Sequence, residues 1–131
     1  MGNEMPCGSF CPVNKALTFI SKKWSIEIIK DMFFGKKRFK EFKEGKPNLS
    51  NKVLSNCLKN LESNGLIEKR ILNLTPVSTE YHLTELGKSL NRVIYELAVF
   101  ALENCDDKEC SEEATRIQIE QEFKETLKIN D

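Results

Sequence analysis

Apolar residues in the first half of the chain recur at the three- and four-residue spacing of helices, and after Gly65 they switch to the every-second-residue alternation of strands. Val13, Ala16, Leu17 and Ile20 predict a helix over 13–20. Trp24, Ile28, Ile29, Met32 and Phe33 give a broad apolar face over 24–34, and Gly35 with Lys36, Lys37 and Arg38 breaks it. A short helix over 39–44 follows. Gly45, Lys46 and Pro47 then turn the chain into the next element.

The stretch 49–64 has a start signal, a stop signal and two chemically distinct faces. Ser50 is a good N-cap, and Asn64 followed by Gly65 is a good C-terminal stop. At about 100° per residue, Val53, Leu54, Cys57, Leu58 and Leu61 share one arc, predicted to be core. Asn51, Lys52, Ser55, Asn56 and Lys59 share the opposite arc, polar and basic without an acid.

Strands are predicted over 66–72 and 77–83, the second from the alternation of Val77, Thr79, Tyr81 and Leu83, with residues 73–76 as the turn. A lone hairpin is marginal in water, so it must pack on the helices. Thr84 caps a further helix running to about Asn104, where Leu86, Leu90, Val93, Ile94, Leu97 and Ala101 form a stripe. Tyr95, Val99, Phe100 and Leu102 extend that surface well around the helix. Cover is needed on more than one side, which points to a second subunit. A last helix is predicted over 111–129, capped by Ser111, and its apolar residues, Ile117, Ile119, Phe123 and Leu127, are sparse.

A length of 131 residues suits one domain with helical extensions: an arm at 1–12, a body at 13–104 and a tail at 105–131. With no apolar run near 20 residues and no secretory pattern at its start, the chain is expected in the cytoplasm, away from membranes. The net charge of zero conceals an asymmetry. Residues 14–70 hold 14 basic and 6 acidic side chains, a surplus of eight positive charges, whereas residues 96–131 hold 4 basic and 11 acidic ones, a surplus of seven negative charges. A basic body suggests a polyanionic partner.

Helix, helix, short helix, capped helix with a basic polar face, hairpin and long helix, in that order, make a mainly α fold with a two-stranded β wing: a winged helix-turn-helix with terminal dimerisation helices. A recognition helix needs one face anchored to the domain and one row of side chains able to meet base edges in the major groove. The helix from Ser50 meets both needs. Asn51, Ser55 and Asn56 are candidate base readers, and Lys52 and Lys59 can meet guanine or phosphate. Arg38, Lys40, Lys43 and Lys46 would sit over the backbone, and Lys69 and Arg70 at the hairpin base over a flanking phosphate. The expected partner is double-stranded DNA, at an imperfect palindrome bound by a homodimer. The alternative is a winged-helix interaction module that does not touch DNA.

Cys11-Pro12-Val13, Lys23-Trp24, Arg38-Phe39, Leu49-Ser50, Leu61-Glu62, Gly65-Leu66-Ile67, Arg70, Pro76-Val77, Glu80-Tyr81, Leu83-Thr84 and Gly87 resemble the HxlR-type regulators, which are related in shape to MarR-type proteins. The resemblance spans about 11–101. It implies a dimeric winged-helix repressor or activator, with a recognition helix from Ser50, a wing between Arg70 and Tyr81, and a dimer built by the helix from Val13 and those after Thr84. The chain departs from the family pattern at Ser21-Lys22, where a glycine pair is common, and beyond Cys105.

The resemblance also makes Cys11 a candidate sensor of oxidants or electrophiles, because some family members use a cysteine ahead of the first helix. A helix N-terminus there favours thiolate. The plainer reading is an unreactive thiol, and a small-molecule effector near the dimer helices is a further option. Five cysteines cannot all pair within one chain, and in a reducing compartment they are expected as thiols. Cys57 falls on the core arc. Cys7 with Cys11 and Cys105 with Cys110 lack the two-residue spacing common in zinc sites, so no metal is expected, and nothing points to a cofactor. His82 is expected on the outer face of the wing, in solvent or towards phosphate. No phosphate loop, nucleophile elbow or carboxylate pair stands out, so an enzyme is not expected.

Overall fold

A computed structural model describes residues 10–20, 22–105 and 112–130. In chain order these form α1 (Pro12–Phe19), α2 (Ser25–Phe33), α3 (Phe39–Lys43), α4 (Asn51–Ser63), β1 (Ile67–Leu72), β2 (Ser78–Leu83), α5 (Glu85–Lys88), α6 (Asn91–Glu103) and α7 (Glu113–Thr126). Ser21, Cys7, Cys110 and the expected cap Ser111 lie outside the described residues.

The core sits where α2, α3 and α4 meet the hairpin. Ile28 and Ile29 of α2, Phe42 of α3, and Leu54, Leu58 and Leu61 of α4 are buried together with Leu66 and Ile67. Each such side chain contributes about 1.5–3 kcal/mol on leaving water. Phe42 meets Tyr81 edge-on with ring centroids 6.3 Å apart, which seats the hairpin on the helices.

Local signals set the ends of α4. The Ser50 hydroxyl accepts the Val53 N–H at 3.1 Å, satisfying one orphan donor of the first turn. At the other end Gly65 takes φ +78°, a conformation costly for any residue with a Cβ. The chain leaves directly into an antiparallel ladder from Ile67↔Leu83 to Leu72↔Ser78. Thr84 then joins three elements, because its hydroxyl donates to the Gly65 carbonyl at 2.6 Å and accepts the Gly87 N–H at 3.1 Å. Gly87 packs so closely on this junction that a Cβ would stand 2.1 Å from the Leu66 carbonyl oxygen.

The structure corrects several expectations. The helix foreseen over 85–104 is two, α5 and α6. At the break the Ser89 hydroxyl turns back to the Leu86 carbonyl at 2.5 Å, competing with the helical ladder. Val53, expected in the core, is 43% exposed. His82 does not point to solvent alone, since its Nε2 lies 2.9 Å from Glu80 Oε1.

Part of the cover for α6 comes from this chain rather than from a second copy. α7 returns along α6 and places Leu127, 1% exposed, in the main core. Phe123 meets Phe34 edge-on at 5.1 Å, Asn91 Nδ2 donates to the Leu127 carbonyl at 2.9 Å, and the Tyr95 hydroxyl donates to Glu120 Oε2 at 3.2 Å. Tyr95 and Leu102 are thereby covered to different degrees, Leu102 being buried. Val93, Leu97 and Phe100 stay exposed on α6, as do Val13 and Leu17 on α1. No helix among the described residues is long and apolar enough to cross a membrane.

Candidate nucleic-acid interface

α4 presents the polar arc outward as a row. Asn51, Lys52, Asn56 and Lys59 are exposed and Ser55 is half-buried, while the opposite side of the helix is locked into the core by Leu54, Leu58 and Leu61. Its first turn carries no acid. The positive end of the helix dipole is therefore left for an external anion.

Lys43, at the end of α3, donates from Nζ to Asn51 Oδ1 at 2.5 Å. This contact holds the Asn51 amide with its Nδ2 side available as a donor and keeps an ammonium beside the α4 N-terminus. Lys40 is exposed on the same short helix. The carboxylate of Glu41 accepts the backbone N–H groups of Lys37 and Arg38, both at 2.9 Å. Those two bonds fix the start of α3 and hold the Glu41 carboxyl below its ordinary range.

Two basic residues expected over the DNA backbone are engaged elsewhere. Lys46 turns inward, its side chain 8% exposed, and pairs with the buried carboxylate of Asp31, which Lys30 Nζ also meets at 2.8 Å. It is not offered to a phosphate. Arg38 reaches across to β2, donating to Ser78 Oγ at 2.7 Å and lying 3.5 Å from Glu80 Oε2. Lys37 Nζ is 3.5 Å from the same oxygen. The hydrogen bond from His82, with Lys37 adding to it, holds the Glu80 carboxyl below its usual range against the opposing effect of burial. Glu80 thus gathers Lys37, Arg38 and His82 at the root of the wing, and the Tyr81 N–H donates to the Lys37 carbonyl at 2.8 Å. The wing is tied to the helical body by backbone and side chains together.

On the wing itself Lys69 is exposed, and Arg70 pairs with Glu68 on its own strand, Nε to Oε1 at 2.7 Å. The hairpin tip beyond them exposes Ile71, Leu74 and Val77. Lys22 and Lys23, absent from the expected contacts, stand beside Val53 and Asn56 at the edge of the exposed polar face of α4. The basic pair ahead of α2 was the available sign of them.

Cys11 is the N-cap residue of α1, half-buried, and carries a reduced thiol; Cys57 carries one too. Burial pushes the Cys57 thiol up, so it stays neutral. Cys105 is disulfide-bonded, contrary to the expectation of thiols throughout. That expectation rested on the odd number of cysteines and on a reducing compartment.

A helix anchored on one face, basic and amide-rich on the other, with a β hairpin braced beside it, defines a winged-helix DNA-binding protein. Residues 19–109 match the HxlR-like helix-turn-helix family. The chain is 40% identical over 116 residues to the HTH-type transcriptional regulator YodB of Bacillus subtilis, a match covering 86% of this chain and 99% of YodB. The structure of reduced YodB matches with a TM-score of 0.63 at 39% identity, over 74% of this chain and 96% of that one. The redox regulator HypR in its oxidized form matches with a TM-score of 0.69 at 32% identity, over 74% of this chain and all (100%) of that one. The chain belongs to the HxlR family, and is a helix-turn-helix transcriptional regulator rather than an enzyme.

Proposed function

We propose that two copies of the chain bind an imperfectly palindromic operator, each reading one half-site with Asn51, Lys52, Ser55, Asn56 and Lys59 of α4. The observation that carries this reading is the exposed, acid-free row on a helix whose other side is fixed in the core. Lys43 and the N-terminus of α4, capped by Ser50, hold the backbone, and Lys69 and Arg70 on the wing reach flanking phosphates. The apolar strip left exposed on α6, Val93, Leu97 and Phe100, faces the partner together with Val13 and Leu17 of α1. A two-fold axis through that strip sets the two reading helices about one DNA turn apart.

Selection from random duplexes tests the reading. Asn51→Ala and Asn56→Ala are expected to relax preference at particular base pairs by about 1–3 kcal/mol. Lys43→Ala is expected to weaken all duplexes alike and to flatten the salt dependence. Equal affinity of the unmodified protein for every duplex counts against an operator-specific regulator.

Cys11 is the proposed site of the input signal. Its support is position, at the N-cap of a helix assigned to the dimer, together with kinship to HypR, which is named as a redox regulator. Oxidation or electrophile addition at this thiol shifts the relative placement of the two reading helices, a change that half-site spacing tolerates poorly. Treatment with a mild oxidant or a quinone is expected to change operator affinity in the wild type and to leave Cys11→Ser unresponsive. Identical responses in the two proteins exclude Cys11.

A further inference from the structure

At the root of the wing a covered carboxylate meets two cations that are open to solvent. The Glu80 side chain is 11% exposed, whereas those of Lys37 and Arg38 are about half exposed. His82 is the close partner of this carboxylate, its Nε2 lying 2.9 Å from Oε1. Both cations meet the other oxygen, Oε2, at 3.5 Å, well beyond the roughly 2.7–2.9 Å of a close charge-assisted hydrogen bond. The hydrogen bond from His82 is also the largest influence holding the Glu80 carboxyl below its usual range, ahead of Lys37. Arg70, opposite Glu80 in the ladder, pairs with Glu68 instead. Glu80 is therefore anchored by His82, and Lys37 and Arg38 are held loosely.

Both cations can take a second anion without leaving the wing. Arg38 Nη1 donates to Ser78 Oγ at 2.7 Å, and a guanidinium has more N–H donors than its contacts here use. The pair also continues the basic edge of α4. Arg38 is the N-cap residue of α3, Lys40 is exposed on that helix, and Lys43 at its end donates to Asn51. From Arg38 to Lys43 the helix rises about 7.5 Å. A DNA strand carries a phosphate about every 3.4 Å along the duplex axis, so this row is long enough for two of them. Of the acids on the row itself, Glu41 is tied to the backbone N–H groups of Lys37 and Arg38, and Glu44 lies exposed past Lys43. Glu80 is the carboxylate that another element brings to these cations.

We propose that Lys37 and Arg38 form a phosphate site at the root of the wing and that Glu80 is its internal competitor: the cations pair with Glu80 in the free protein and turn outward to the DNA backbone in the complex, while His82 keeps the carboxylate. The ion pairs given up on binding lower the affinity for every duplex alike, because they favour the DNA-free form without regard to sequence. The inference rests on this face of the protein meeting DNA, and not on which bases α4 reads.

The test is a salt titration of binding to a duplex of scrambled sequence, with a melting curve for each variant. Glu80→Gln keeps an oxygen for His82 and removes the charge. It is expected to bind about threefold tighter or more, with the wild-type salt slope, because the same phosphates are neutralised in both complexes. A role confined to bracing the wing gives the reverse, weaker binding with a lower melting temperature. Lys37→Gln alters an exposed side chain, so it is expected to keep the wild-type melting temperature and to lower the salt slope by about 0.9, and Lys37→Arg to restore the slope. Lys37→Gln is expected to cost more affinity in the Glu80→Gln background than in the wild type, since no competing pair then offsets the lost phosphate contact. A wild-type slope in Lys37→Gln overturns the phosphate site. Unchanged or weaker binding by Glu80→Gln, or its failure to fold, overturns the competition, because the exchange requires a wing root that survives without these ion pairs. Failure of the Asn51 and Asn56 selection experiment bears on base reading alone, because the titration uses a duplex without an operator.

Discussion

Leu97→Glu is expected to convert the protein into a monomer that keeps its fold and loses most of its operator affinity. Leu97 is 50% exposed on α6, between Val93 and Phe100, and with Val93 it lines a surface hollow of about 550 Å³. In a two-fold dimer the same position occurs on both sides of the axis, so one substitution places two carboxylates in the interface. An unpaired charge there costs several kcal/mol after relaxation. At about 1.4 kcal/mol per decade, the dimer dissociation constant is expected to rise by roughly three decades or more. Sedimentation at micromolar concentration reads the change in mass. A melting temperature close to wild type shows that the fold survives, because Leu97 contributes little to the core of its own chain. Operator affinity falls with the loss of dimerisation, since a monomer engages one half-site. An unchanged dimer locates the subunit contact elsewhere. Leu102→Glu is a poor substitute, because Leu102 is buried within its own chain and its replacement disturbs the protomer.

What the sequence made legible in this molecule was local. Ser50 and Gly65 mark the ends of α4 because a cap and a left-handed residue act within one turn, and the alternation over 77–83 appears as β2 because strand periodicity is a property of consecutive residues. The exposed polar row on α4 followed from the same local rules. Val53 was misplaced because a helical arc has edges, and which edge is covered depends on the distant 22–24 turn rather than on α4 itself. The cover on α6 was assigned to a second subunit because the apolar residues of α7 are too sparse to announce a buried face. Phe123 and Leu127 nonetheless suffice to dock it. Arg38, Lys46 and His82 shared one difficulty: a basic side chain in a turn or strand looks the same in sequence whether it meets solvent, phosphate or a carboxylate of its own chain.

Lys46 shows how much that distinction changes an expected result. As a phosphate contact, Lys46→Ala should leave stability untouched and lower the salt slope of DNA binding by about 0.9 for each phosphate released. The structure points to the opposite pattern. The Lys46 ammonium is one of two cations on Asp31, whose side chain is 4% exposed, and the pair spans fifteen positions to hold the turn before α4 against α2. Removing it leaves a buried carboxylate with Lys30 alone, a class of change that costs about 3–5 kcal/mol. Because Lys30 remains, about 3 kcal/mol is the reasonable expectation, and the melting temperature should drop by roughly 10 °C for a domain of this size. The double variant Asp31→Asn, Lys46→Met removes both charges and restores a shape-matched apolar stem, so it is expected to recover most of the loss. DNA binding by Lys46→Ala, measured well below its melting temperature, should keep the wild-type salt slope with affinity lowered through a less firmly seated α4. A flattened slope with unchanged stability would return Lys46 to the DNA backbone and remove the Asp31 pair from the fold's energetics.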